Sequence, residues 1–128
     1  MVVGRRTIEF AGGWGGDHHD GVPIFVLSRR AADAATRWPA VTYLRDVADA
    51  VRRAKDAAGD RDVLVHGAVT AALALTAGVL DELQIHQIPV LFGRGRRLFE
   101  ELPSRVELEL VRVIDTPEAT HIRYRVRR

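Results

Sequence analysis

Apolar positions along this chain come in short runs broken by glycine, proline and charge. The opening MVVGRRT sets three apolar residues against Gly4, Arg5, Arg6 and Thr7, which predicts a strand, a turn and a helix start within seven residues. IFVLS, residues 24–28, is bounded by Pro23 and Arg29 and reads as a buried strand; VTYL, 41–44, reads as another. Asp46 then has the character of a helix N-cap, Val47, Val51, Ala54 and Ala58 recur at helical spacing, and Gly59 suits the stop. DVLVHG, 62–67, predicts a strand running into a turn, followed by a small-residue helix, AVTAALALTAG, ended by Gly78.

The second half has a different rhythm. LQIHQIPVLF, 83–92, predicts one long strand in which Pro89 marks a bulge or an edge position. VELELVRVID, 106–115, and THIRYRVRR, 120–128, alternate with period two. In the latter, Ile122, Tyr124 and Val126 face one way and His121, Arg123 and Arg125 the other. The DTPEA turn predicts an antiparallel pair. Strand–helix alternation followed by a hairpin implies a mostly parallel α/β sheet with an antiparallel edge.

Composition narrows the class. The 128 residues are 47% apolar, enough for one domain with a real core. No run reaches the ~18 apolar residues of a membrane helix, and no signal peptide is visible. There are no cysteines, which excludes disulfides and thiolate chemistry and favours a cytoplasmic protein. The net charge is only +2, so any anion binding rests on local clusters.

Three strand ends carry candidate chemistry. In VVGRRT, a glycine lets the backbone approach a ligand, the first helical amides favour phosphate, and Arg5, Arg6 and Thr7 add donors. The plain alternative is a solvated arginine pair beside an ordinary turn. In VLVHGAVTAAL a strand enters Gly67 and a helix whose Ala68 and Ala72 permit close approach. It lacks the full G-x-G-x-x-G pattern and also reads as a tight packing corner. Ser28 and Arg29 follow the third strand. In an open parallel sheet these ends share one edge, where ligands bind, and their convergence on a polyanionic ligand is worth more than any one motif.

The other clusters have plainer readings. Asp17, His18, His19 and Asp20 sit in a glycine-rich loop and lack a firm third metal ligand, so no metal site is expected. Arg94, Arg96 and Arg97 could touch a phosphate, the favoured alternative being a basic loop anchored by Leu98 and Phe99; Asp81 and Glu82 are a candidate acid pair, with capping of a surface strand start the favoured reading. His66, His86 and His121 are scattered singly. The arginine-rich tail lacks the aromatic interleaving of a nucleic-acid arm.

HGAVTAALALTAGVLDELQIHQIPVLFGRGRRLFEEL closely resembles the reductase domain of bacterial riboflavin biosynthesis enzymes and the wider dihydrofolate-reductase-like family. VVGRRT, IFVLSRR and LELVRVIDTPEATHIRYRV match the same family in order, so the resemblance spans nearly the whole chain. It implies a three-layer α/β/α domain with a mixed sheet, NADPH as hydride donor, and a homodimer. Carried over, Gly4, Arg5, Arg6 and Thr7 would hold cofactor phosphates. Leu27, Ser28 and Arg29 would surround the adenosine end, with Arg29 near the 2′-phosphate. His66, Gly67, Ala68 and Val69 would lie along the pyrophosphate and nicotinamide side.

The chain departs from that pattern in three places. His66-Gly67 replaces a glycine pair, and Val65 and Ala68 stand where the riboflavin reductases carry Glu and Pro. Family members also place a strand and helix ahead of VVGRRT, so the chain is expected to lack them. The function implied is an NADPH-dependent reductase of a small heterocyclic substrate, with no general acid identified. The alternative is a non-catalytic nucleotide-binding or interaction protein derived from such a reductase.

Overall fold

The computed structural model describes residues 1–16, 21–30, 38, 41–99 and 102–128. They divide into two compact units, Met1–Val79 and Leu80–Arg128. The loop Asp17 to Asp20 lies outside the described residues.

In the first unit, strands β1 (Val2–Gly4), β2 (Ile24–Leu27), β3 (Val41–Leu44) and β4 (Val65–His66) form a parallel sheet in the order β3-β2-β1-β4. Strand β1 is central, and Val2 and Val3 are both wholly buried although they point to opposite faces. A parallel strand covered on both sides reads as an unbroken apolar run, which is why MVV and IFV carry no alternation. On one face Met1, Val3, Ile8, Ile24, Val26, Trp38 and Val41 form a single cluster. Helix α1 (Arg5–Phe10) contributes Ile8 to it.

Helix α2 (Val47–Ala58) packs against β1, β2 and β3 through Val47, Ala50, Val51 and Ala54. Both of its predicted ends are observed. The Asp46 carboxylate accepts from the Asp49 amide at 2.8 Å, and Gly59 takes φ 60°. Helix α3 (Ala68–Thr76) ends as predicted at Gly78. The Gly78 amide donates to Leu75 and the Val79 amide to Ala74, the paired bonds of a Schellman stop. The strand expected over 62–67 is shorter than its apolar run, because only Val65 and His66 pair with β1.

The second unit is an antiparallel sheet of β5 (Glu82–Gln87), β6 (Leu108–Asp115) and β7 (Thr120–Val126), with β7 in the middle. Thr116 closes the predicted turn, its amide donating to the Ala119 carbonyl at 3.0 Å and its hydroxyl accepting from the Ala119 amide at 3.1 Å. The register puts Leu83, Ile85, Leu110, Ile122 and Tyr124 on one face and Glu82, Gln84, Glu109, Arg123 and Arg125 on the other. An irregularity between Leu110 and Arg112 shifts the β6 pairing.

The long strand expected over 83–92 stops at Gln87. Gln87 pairs with Thr120, where the partner strand begins. Beyond it the Val90 amide turns back to the Ile88 carbonyl at 2.8 Å, a three-residue turn around Pro89. Proline supplies no ladder N–H, so the apolar run continues without a sheet and Leu91 is 99% exposed. The basic loop after it is less anchored than expected, since Leu98 is also exposed.

Candidate binding site at the strand tips

Because all four strands of the first sheet are parallel, their carboxyl ends share one edge. Gly4 pairs in register with Leu27, Leu27 with Leu44, and Val3 with His66. The sequence-predicted residues Gly4, Leu27, Ser28 and Gly67 therefore stand side by side along that edge. Arg5, Arg6 and Thr7 open α1 there, and Ala68 and Val69 open α3.

Gly4 and Gly67 are required for different reasons. Gly4 has an ordinary extended backbone, φ −81°. A Cβ there would sit 3.1 Å from the Thr70 hydroxyl, so glycine answers to crowding and not to a strained turn. Gly67 has φ 99°, which L side chains rarely adopt, and a Cβ would also meet the Thr7 hydroxyl at 3.2 Å. Two hydroxyls thus flank the two glycine tips. Thr70 is 2% exposed and was not singled out from the sequence. The available signal was its place three residues after Gly67, in the first turn of α3.

The charged candidates differ in how they are held. Arg5 makes a two-pronged ion pair with Glu9, at 2.7 and 2.8 Å, one helical turn along α1. Arg6 and Arg29 are exposed. Ser28 is buried at 5% exposure, its hydroxyl accepts from the Arg30 amide at 3.0 Å, and its own amide donates to the Leu44 carbonyl. It fixes the turn after β2. His66 and Val69 are exposed beside Gly67. Arg30 and Arg45 also lie at this edge, and Arg45 went unrecognised because β3 carries no glycine turn to mark its tip.

The strand tips therefore combine small residues, buried hydroxyls and a basic rim. A separate cavity of about 170 Å³ lies at the amino-terminal edge of the same sheet, lined by Met1, Pro23, Phe25, Ala54 and Val63 among others. None of the predicted site residues reaches it. Met1 donates from its amino group to the Pro23 carbonyl at 2.8 Å there, and burial lowers that amine from its usual pKa. Among the described residues, no three His, Cys, Asp or Glu side chains gather as metal ligands. None of the described helices is long and apolar enough to cross a membrane.

One unit is a parallel sheet with glycine turns at its tips and the other an antiparallel three-stranded sheet, which places the chain in the mixed α/β class. The chain belongs to the RibD C-terminal domain family, whose profile matches residues 18–122. Among solved structures, a Shewanella sp. PV-4 protein named for riboflavin biosynthesis is similar at 25% identity and TM-score 0.77, over 99% of this chain and 73% of that one. Acinetobacter baumannii RibD superposes at TM-score 0.65 with 16% identity, over 98% of this chain and 46% of that one. A pyrimidine reductase-like protein of Corynebacterium diphtheriae gives TM-score 0.63 and 15% identity, over 99% and 75%. No curated protein matches the chain by sequence. The family and the α/β fold are those expected from the sequence.

Proposed function

We propose that the chain is an NADPH-dependent reductase of a small heterocyclic substrate, of the riboflavin-biosynthesis reductase kind. The observation that carries this reading is the shared edge at which Gly4 pairs with Leu27, one residue before Ser28, and Val3 pairs with His66, one residue before Gly67. A dinucleotide needs a close approach to bare backbone and fixed donors for its phosphates. The absence of side chains at Gly4 and Gly67 serves the first need, the Thr7 and Thr70 hydroxyls stand beside those tips, and the rim of Arg6, Arg29, Arg30 and Arg45 serves the second.

In this reading Gly4, Arg6 and Thr7 hold the phosphates of the bridge, while Arg29 takes the 2′-phosphate and sets the preference for NADPH over NADH. Leu27 and Ser28 shape the adenosine side. His66, Gly67, Ala68 and Val69 border the nicotinamide side. Arg5 takes part only by leaving Glu9. The bound cofactor supplies the hydride. The protein positions the two rings and keeps the turns from yielding.

Calorimetric titration with NADPH and NADH tests the binding, and loss of NADPH absorbance over a panel of pyrimidine and pterin-like compounds tests the reaction. The reading expects tighter NADPH binding, with the preference reduced in Arg29→Ala. NADPH binding without turnover of any substrate would favour the non-catalytic nucleotide-binding alternative. No binding of either dinucleotide rejects both.

A further inference from the structure

We propose that His86 and His121 form a two-histidine site for a divalent transition-metal cation of the copper, nickel and zinc class. His86 lies on β5 and His121 on the central strand β7, directly opposite each other in register. Their ring centroids are 4.8 Å apart with the planes at 73°, and the two Nδ1 atoms approach to 2.5 Å. The sheet therefore brings two imidazole nitrogens to one point. Strand β7 is paired on both sides, so the backbone that sets this spacing is held in place.

Two nitrogens bonded to one cation at about 2.0–2.1 Å stand roughly 3 Å apart. The exposed His86 and half-buried His121 rings open by the remaining few tenths of an ångström through small side-chain rotations. The metal-free contact needs a proton on one Nδ1. In the chelate both rings are neutral, carry their proton on Nε2 and direct a lone pair from Nδ1. The exchange is a shift of tautomer within one ring, with no net proton lost. Imidazole ligands select copper, nickel and zinc over magnesium and calcium.

The neighbours on this face supply no further ligand. They are Glu82 and Gln84 on β5, Arg123 and Arg125 on β7, and Glu109, Arg112 and Ile114 on β6. The Glu82 carboxylate is taken by Arg123, and Glu109 faces Arg125 and Arg127. Among the described residues no third protein ligand joins the pair, so water completes the shell. The site is open and exchangeable, weaker than a closed four-ligand zinc site.

The test is titration of the chelator-treated full chain with Cu²⁺, followed by calorimetry and electron paramagnetic resonance. The proposal expects one equivalent bound with hyperfine coupling to two nitrogens, affinity in the order Cu²⁺ above Ni²⁺ and Zn²⁺, and no response to Mg²⁺. His86→Ala and His121→Ala should each weaken binding at least tenfold and abolish the metal-induced rise in Tm, while the His18→Ala/His19→Ala double variant keeps both. In the unsubstituted chain, paramagnetic line broadening should centre on positions 86 and 121, a readout independent of how any variant folds. Absence of a bound equivalent overturns the proposal. So does binding that persists in His86→Ala and His121→Ala, or broadening centred elsewhere.

Discussion

The two units hold their strands together by different means. In Met1–Val79 the sheet is parallel and its central strand is buried on both faces, so apolar packing fixes it and the proposed site falls at the strand tips. In Leu80–Arg128 the sheet is antiparallel, and one face is laced by Glu82–Arg123, Glu109–Arg125 and the His86–His121 contact. A buried parallel sheet offers function at its ends, where the side chains stop. A half-exposed antiparallel sheet offers it on its face, through cross-strand pairs. Both candidate sites follow this division.

Truncating the buried parallel unit should be the most damaging change. Ile8 is wholly buried in the cluster with Val3, Ile24 and Val26, and Ile8→Ala should cost about 2–5 kcal/mol in urea unfolding. Leu110→Ala in the second unit, at 59% exposure, should cost no more than about 0.5 kcal/mol. Equal effects would erase the contrast.

Next come the two glycine tips, which separate strain from crowding. Gly67→Ala should destabilise by about 1–2 kcal/mol whether or not Thr7 is shortened to alanine, since φ 99° is the obstacle. Gly4→Ala should cost little once Thr70→Ala makes room, and stabilise by up to about 1 kcal/mol in that background. Chemical denaturation of the four single and two double variants checks this. A rescue of Gly67→Ala by Thr7→Ala would contradict the backbone account.

Smaller effects belong to helix α2 and to the surface pairs. Asp46→Ala removes the cap on the Asp49 amide and should cost about 1 kcal/mol in thermal or urea unfolding. Glu82→Ala should cost less than about 1 kcal/mol, because its partner Arg123 lies in solvent reach, and the loss should shrink in high salt. The smallest effect is pH-linked. The Arg52 hydrogen bond holds the Asp49 carboxyl below its ordinary 3.8, so its contribution is present above that value and fades as pH falls through the lowered folded value. Asp49→Asn should slightly flatten the acid limb of the Tm profile and leave neutral Tm nearly unchanged.

The sequence showed the local punctuation best. Asp46, Gly59 and Gly78 stop and start helices by chemistry confined to a few residues, and each does so where expected. The DTPEA turn and the facing of Ile122 against His121 were legible for the same reason. What escaped depends on partners distant in sequence. β4 is limited to the two residues that pair with β1, whatever the length of its apolar run. The strand ending at Gln87 stops because Pro89 ends its ladder and its partner begins at Thr120. Arg45 at the shared edge and the His86–His121 contact are visible only once separate segments are brought side by side, whereas Thr70 was marked locally by its place three residues after Gly67. The three strand tips were found because parallel pairing makes their shared edge a matter of topology.

Mapping backbone amide shifts while NADPH is titrated into the full chain tests the site most directly. The account predicts saturable changes concentrated at Gly4, Thr7, Ser28, Gly67 and Thr70. Changes confined to the opposite edge, around Met1 and Val63, or no saturable change, would contradict it.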